Sequence, residues 1–248
     1  MKSSFVLILI LFTGSVHALE KSLSVCTLEW PPYFSEKLTD QGWGWKVARE
    51  ALEPKGYTLH IKFLPWARAL MEVKHGKCDA LGGAFYSDER AEWAWFSAPF
   101  GEVRTVFFKR KDHLIEFKVL HDLKPYNIAV GRGFVSTPEF DDADYLNKYK
   151  VLNASQGFRM IYKDRLDLLP FGELPGKMML RQIEATGEYP GISQKIVPME
   201  PPLKFNDIHL AFSKKDPHAL KKLTDFNSGL VKLYRNGRYK EILREYGL

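Results

Sequence analysis

One arginine, Arg90, lies in a predicted short polar turn after two glycines, in the segment GGAFYSDERAEW at residues 82–93. The guanidinium group is a planar fork of N–H donors that fits a carboxylate through two parallel hydrogen bonds. Residue type alone also allows an exposed arginine that pairs with Asp88 or Glu92, and without further context such a surface pair is favoured. The segment therefore predicts either a carboxylate-binding site or a surface ion pair.

A second stretch, VGRGFVSTPEF at residues 130–140, has the pattern of a glycine turn that leads from a strand into a helix, with Pro138 at the helix start. Exposed N–H groups at such a helix start can hold an anion. Arg132 either adds positive charge there or is solvated. The third glycine of a dinucleotide-binding fingerprint is missing, so the pattern does not indicate a nucleotide site.

Signatures of metal, nucleophile and redox chemistry are missing from the sequence. The seven histidines show no H-E-x-x-H or similar spacing, and no G-x-S-x-G segment occurs. The two cysteines, Cys26 and Cys78, do not form a C-x-x-C motif, although an oxidising compartment would allow them to form a disulfide. We therefore predict no cofactor, no metal and no catalytic residue.

Strand-like and helix-like segments alternate along nearly the whole chain. YTLHIKFL at 57–64 alternates apolar and polar side chains as a half-buried strand does, and WARALMEVKHG at 66–76 has apolar residues at helical spacing. Repeated strand–helix–strand units predict an α/β fold with a parallel sheet and helices on its faces. Strands are predicted at 22–28, 57–64, 78–84, 103–111, 127–133, 168–171 and 207–215, and helices at 45–52, 66–76, 156–167, 177–185, 217–237 and 238–247.

The first 18 residues have the composition of a cleaved secretory signal peptide. Lys2 supplies a positive start, the apolar run FVLILILF is too short to cross a bilayer, and VHA ends at Ala18 as a small-x-small cleavage site. A retained signal anchor is the alternative. The signal pattern predicts an exported mature protein, which we expect to have no membrane span. The formal net charge is +6, and its basic residues are scattered among acids, so we expect no nucleic-acid binding.

Six segments, taken in order, carry a resemblance to a known family. EWPPYF at 29–34 forms an aromatic-proline loop, WARALMEVKHGKCDA at 66–80 has a tryptophan, a helix and Gly-Lys-x-Asp-Ala, and SDERAEWAWFSAPF at 87–100 has an arginine followed by Phe-Ser-x-Pro. The other three segments are KDRLDLL, IHLAFSKKDP and LYRNGRYKEILREYG. Together they resemble the family-three periplasmic solute-binding proteins, which serve amino-acid ABC importers, over residues 22–248.

The resemblance implies an α/β, two-lobed periplasmic-binding-protein fold of type II. Two parallel-type sheets flanked by helices would be joined by a two-strand hinge, with the ligand in the cleft between the lobes. After a signal peptide at 1–18, lobe one would comprise 19–109 and 209–248, and lobe two 110–208. The family's sheet order would place Cys26 and Cys78 near the starts of neighbouring parallel strands, within bridging distance; two buried thiols are the alternative.

The same resemblance implies the ligand contacts. Arg90 corresponds to the arginine that clamps the ligand carboxylate, and Trp30 and Trp66 correspond to the aromatic rings that enclose the ligand body, with Tyr33 on the same loop. The other expected ligand-binding residues are Gly83, Phe85, Ser87, Gly133, Phe134 and Glu173.

Several positions depart from the family pattern. Gly83 and Phe85 replace two ligand-binding serines, and Phe134 replaces a threonine. Gly172 stands where relatives have the aspartate that pairs with an α-ammonium group. A buried ammonium without an anionic partner costs several kcal/mol. A standard α-amino acid ligand is therefore expected only if the adjacent Glu173 takes over this role.

Three functions are compatible with these features. The favoured one is a non-enzymatic, monomeric periplasmic receptor that captures a small carboxylate-bearing solute for an ABC permease. The second is a cyclohexadienyl-dehydratase-like enzyme on the same scaffold, for which Glu173 is the one candidate general acid. The third is a sensory binding protein that passes its ligand signal to a membrane receptor.

Overall fold

The computed structural model describes residues 21–248; the predicted signal peptide lies outside the described residues. The strands are β1 (Lys21–Thr27), β2 (Tyr57–Phe63), β3 (Ala80–Ala84), β4 (Ala94–Phe96), β5 (Gly101–Arg110), β6 (Asn127–Gly131), β7 (Asn147–Val151), β8 (Leu169–Gly172), β9 (Ile196–Pro198) and β10 (Lys204–Ser213). The helices are α1 (Trp43–Leu52), α2 (Trp66–Lys74), α3 (Asp88–Trp93), α4 (Pro138–Asp141), α5 (Ala154–Tyr162), α6 (Glu173–Glu184), α7 (Ile192–Lys195), α8 (Ala219–Arg235) and α9 (Arg238–Glu245).

Most of the strands lie in one mixed sheet with the order β2–β1–β3–β10–β5–β8. Strand β1 pairs in parallel with both β2 and β3, whereas β10 runs antiparallel to β3 and to β5. Strands β4 and β9 pair with β10 and β5. Strands β6 and β7 form a separate parallel pair, and a single bridge between Ile128 and Leu168 links β6 to the residue before β8.

The predicted α/β fold is confirmed, but the sheets are arranged differently from the expectation of two parallel-type sheets. Strand β10 is 10 residues long, so its first half pairs with β5 while its second half pairs with β3. The sheet is therefore continuous and mixed through β10 and β5. The sequence pattern predicts a start at 207, because Lys204 and Phe205 belong to the proline-rich segment VPMEPPLKF that precedes the predicted strand.

Helix α1 shows how the sequence forms an element and packs it. Seven of its ten residues are buried, including Trp43, Trp45 and Val47, and its buried face lies against α8. At Gly229 of α8 an added Cβ would lie 2.0 Å from the carbonyl oxygen of Ala51. This close approach requires a residue without a side chain.

A disulfide joins Cys26 on β1 to Cys78, which lies just before β3. The two Cα atoms are 5.9 Å apart, and both side chains are completely buried. The parallel pairing of β1 with β3 brings the two cysteines together across 52 residues of sequence.

Candidate functional site

A cavity of about 50 Å³ lies between two groups of residues that are far apart in sequence. One wall comes from the loops and strands of the N-terminal part of the chain and includes Thr105 of β5. The opposite wall comes from the segment after β6 and from β8. The first wall contains Leu28, Trp30, Trp66, Gly83, Phe85 and Arg90, and the second contains Phe134, Val135, Ser136, Pro170, Phe171 and Gly172.

Helix α3 positions Arg90, which lies in this short helix and not in the turn that the sequence pattern suggested. The hydroxyl oxygen of Ser87 caps the helix by accepting a hydrogen bond from the backbone N–H of Arg90 at 3.3 Å. Asp88 and Glu89 lie in the first turn, where negative charge stabilises the helix dipole. Ser87 therefore orients Arg90 and does not line the cavity.

The guanidinium group of Arg90 is buried, with the side chain only 4% exposed. Its Nη1 donates to the carbonyl of Phe85 at 2.6 Å and its Nη2 to the carbonyl of Gly133 at 2.8 Å. The group also lies 5.4 Å from the centre of the Trp66 ring, within range of a cation–π interaction. A guanidinium has five N–H donors, so further donors are available for a ligand.

Burial lowers the pKa of Arg90 to about 10, so the group remains a cation at neutral pH. The acids whose charge acts on it are Glu89 and Asp141, and neither lines the cavity. The partners of its side chain within the described residues are two carbonyl oxygens and an indole ring. The site thus holds a desolvated cation that is available to an anion.

The carbonyl oxygen of Gly133 accepts two hydrogen bonds across the cavity. One comes from Arg90, and the other comes from Nε1 of Trp66 at 2.9 Å. Gly133 has φ +74, a backbone conformation that favours glycine. These contacts hold the segment after β6 against α2 and α3.

Five of the thirteen lining residues of the cavity are aromatic. Trp30 lies 5.6 Å from Phe85, ring centre to ring centre. On the other side, Phe134 stacks on Phe171 at 6.1 Å and meets Trp66 edge-on at 6.4 Å. The indole Nε1 of Trp30 is buried and has no hydrogen-bond partner within residues 21–248. An apolar enclosure with a few oriented donors is the usual form of a small-molecule site.

Thr105 is a cavity residue that the sequence analysis missed. Its side-chain oxygen accepts a hydrogen bond from the amide of Asn206 at 2.8 Å, and both residues are buried. The available signal was that Thr105 is in phase with apolar residues of β5, whereas the charged Glu102 and Arg104 are out of phase with it. Alternation places Thr105 on the same strand face as Val103 and Phe107, which are completely buried.

Residues 23–248 of the chain match the sequence pattern of the bacterial extracellular solute-binding proteins, family 3. The chain belongs to this family. A histidine kinase sensor domain with similarity to periplasmic binding proteins has a TM-score of 0.78 at 21% identity, covering 91% of this chain and 96% of that chain. A mutant form of ArgBP from T. maritima has a TM-score of 0.72 at 21% identity, with 90% and 94% covered.

A third structure, the substrate binding protein of an amino acid ABC transporter, has a TM-score of 0.73 at 18% identity and covers 90% of this chain and 98% of that chain. At these identities the likeness establishes the periplasmic-binding-protein fold. No curated protein matches the sequence.

Six of the predicted contact residues of this solute-binding protein meet at the cavity. Gly133 does not line it, but its carbonyl oxygen accepts hydrogen bonds from two residues that do, Trp66 and Arg90. The six lining residues are Trp30, Trp66, Gly83, Phe85, Arg90 and Phe134. Two other predicted contacts, Tyr33 and Glu173, lie along a separate depression together with Arg104 and Lys177. Tyr33 packs against Trp30 and Trp43, and so supports the cavity wall from behind.

The structure does not place Glu173 with Arg90, because other cations hold its carboxylate. Glu173 forms ion pairs with Arg104 on β5 and, at 2.6 Å, with Lys177 one turn along α6. Burial acts to raise the pKa of Glu173, but hydrogen bonds from Lys177 and Arg104 outweigh it and hold the pKa below its usual range. Glu173 is therefore a paired, ionised group outside the cavity.

Neither a metal-binding group nor a membrane-spanning helix is found in the part of the chain that the structure covers. Its histidines, cysteines and carboxylates nowhere cluster as a metal-binding group. Its helices include none with the length and apolar composition needed to cross a bilayer.

Proposed function

We propose that this protein is a periplasmic receptor that captures a small carboxylate-bearing solute beside Arg90 and delivers it to an ABC importer. The observation that carries the proposal is the buried guanidinium, which faces an aromatic cavity and retains unused N–H donors. A carboxylate would pair with this fork in a medium of low dielectric, where the attraction is much stronger than in water. Trp30 and Trp66 would enclose the body of the ligand.

Binding would require the two walls to separate and close again. A cavity of about 50 Å³ holds on the order of four water molecules, which is less than most metabolites need. We propose lobes at 19–109 with 209–248 and at 110–208, with β5 and β10 as the strands that connect them. The hydrogen bonds from Arg90 and Trp66 to Gly133 would then form on closure.

Transport rather than signalling is the role we favour. The family is extracellular, the N-terminal sequence has the pattern of an export signal, and one protein of the same fold is the substrate binding protein of an amino acid ABC transporter. The sensor-domain neighbour makes a sensory binding protein the second candidate. Deletion of the gene distinguishes the two roles. Loss of ligand uptake would support the transport role, whereas loss of a transcriptional response to the ligand would support the sensory role.

An enzymatic role receives no support from the geometry. The dehydratase hypothesis needs a protonated acid in the cavity, whereas Glu173 is ionised, paired with Arg104 and Lys177, and outside it. We expect no turnover of prephenate or arogenate by the purified protein. Measurable turnover that is lost in Glu173→Gln would contradict this expectation.

The proposal is tested with a ligand screen followed by a charge comparison. A thermal-shift screen of amino acids, simple carboxylates, small peptides and aromatic acids identifies binders, and calorimetry then compares each carboxylate with its uncharged primary amide. We expect the amide to bind at least about a hundredfold more weakly, because it cannot pair with the buried cation. Equal affinities, or no binding across the screen, would overturn the proposal.

A further inference from the structure

Five of the described lining residues of the cavity have polar side chains. Arg90, Trp30 and Trp66 carry hydrogen-bond donors alone, and the other two, Thr105 and Ser136, carry hydroxyl groups. Arg90 is the one charged residue among its described lining residues, and it supplies N–H groups alone. The indole N–H of Trp30 is buried and unpartnered within residues 21–248. The hydroxyl of Thr105 accepts from Asn206, which leaves its O–H to donate. This set of groups suits the oxygens of an anion.

The two carbonyl groups that contact Arg90 already accept hydrogen bonds, and neither carries the negative charge that would compensate a buried ammonium group. The carbonyl of Phe85 accepts from Arg90, and the carbonyl of Gly133 accepts from both Arg90 and Trp66. Among the nearby acids, Asp141 accepts a hydrogen bond from the backbone N–H of Ser136 at 2.9 Å and does not line the cavity. Glu173 is held by Arg104 and Lys177.

An α-ammonium group would be unfavourable in this cavity. It is attached to the carbon beside the carboxylate, so a carboxylate paired with Arg90 would hold the ammonium close to the same guanidinium. The ammonium would lose its hydration without gaining an anionic partner, and it would also be repelled by the buried cation. Both effects weaken the binding of an amino acid relative to the same molecule without its amino group.

We infer that the ligand is a carboxylate with an apolar or aromatic body and no α-ammonium group, whose oxygens accept hydrogen bonds from Arg90 and from the indole N–H of Trp30. This rests on the proposed function and narrows its class of solute. It separates this protein from the arginine-bound neighbours of the same fold, whose ligand carries an ammonium group.

Matched ligand pairs test the inference on the wild-type mature protein. Calorimetry compares 3-phenylpropanoate with L-phenylalanine, 4-methylpentanoate with L-leucine, and propanoate with L-alanine, and includes the amide of each acid. We expect at least one acid to bind at least about a hundredfold more tightly than its amino acid. Amino acids that bind as well as, or better than, their partners would overturn the inference and leave the proposed carboxylate receptor standing. If no acid and no amino acid binds, or if amides bind as well as acids, the proposed function itself fails.

A tryptophan pair tests the donor role of Trp30. Trp30→Phe retains an aromatic ring and removes the indole N–H, and we expect about a tenfold loss of affinity for the preferred acid, since a hydrogen bond to a charged group is lost. Trp43→Phe is the control, because Trp43 also has a buried Nε1 without a partner within residues 21–248 but does not line the cavity. An unchanged affinity in Trp30→Phe, or an equal loss in both variants, would overturn this assignment.

Discussion

At the scale of single residues, Arg90 makes buried structural contacts and is also the residue on which the proposed function depends. Its guanidinium ties the carbonyls of Phe85 and Gly133 together across the cavity, and its remaining donors are available to a ligand. The pKa of Arg90 is lowered by burial yet stays at about 10. The residue therefore keeps its charge at neutral pH while it lies in an apolar environment, where that charge acts most strongly.

Arg90→Ala is predicted to weaken binding of the preferred carboxylate by at least about a hundredfold, because it removes a buried charge-assisted pair. Arg90→Lys should bind poorly as well, since a point charge cannot reproduce the planar fork. We expect both variants to fold, with unfolding free energy lower by about 1–3 kcal/mol from unpaired carbonyl groups. Calorimetry and urea unfolding measure the two effects.

Arg68→Ala is the matched control for these variants. The side chain of Arg68 is 67% exposed and forms only a long ion pair, of 3.7 Å, with Glu72, so its removal should leave both affinity and stability nearly unchanged. An Arg90→Ala protein that binds like the Arg68→Ala protein would show that Arg90 is not a ligand residue.

Glu173→Gln is predicted to leave the affinity for the preferred carboxylate within about twofold, because the carboxylate lies outside the cavity and is paired with Arg104 and Lys177. The same variant keeps the shape of the side chain and removes its charge. Calorimetry with the ligand from the screen gives the result. A large loss of affinity, especially for an amino acid, would mean that Glu173 replaces the ammonium-binding aspartate after all.

At the scale of elements, the contact of α1 with α8 shows how packing can override local preference. Alanine is favoured over glycine inside a helix by about 1 kcal/mol, yet an added Cβ at Gly229 would lie 2.0 Å from the carbonyl oxygen of Ala51. We predict that Gly229→Ala lowers the free energy of unfolding by about 1–3 kcal/mol. Val231→Ala, at an exposed position of the same helix, should change it much less in the same urea titration.

The disulfide between β1 and the segment before β3 is the second prediction at this scale. For cysteines separated by 52 residues, the loss of chain entropy in the unfolded state corresponds to about 4 kcal/mol. Titration of unfolded, unreduced protein should find no free thiol. The double variant Cys26→Ser, Cys78→Ser should unfold at a clearly lower urea concentration than the wild type. Two reactive thiols per chain would show that the cysteines are not bonded.

At the scale of the whole molecule, export is predicted to produce a mature chain that begins at Leu19. The reason is the small-x-small pattern that ends at Ala18 after a short apolar run. The intact mass of protein purified from the periplasm measures the start directly. A chain that retains Met1 would contradict both the cleavage site and the predicted compartment.

The sequence by itself determined the order and type of most elements. Tyr57–Phe63 and Trp66–Lys74 follow from local periodicity, which depends only on near neighbours in the chain. The family resemblance, carried by short motifs in order, also selected Arg90, Trp30 and Trp66, and these three residues do meet at one cavity. Local patterns were enough to select these three residues, because each motif belongs to a single loop or helix.

Only the tertiary structure decided how the polar groups are partnered. Nothing in the sequence shows that Glu173 is neutralised by Arg104, which lies 69 residues away, or that Thr105 of β5 lines the cavity. The continuity of the sheet through β10 likewise depends on pairing with strands distant in the chain. Long-range pairing and the competition of charges for partners are set by packing. Packing therefore determines that the cavity has a cation and no acid among its described lining residues.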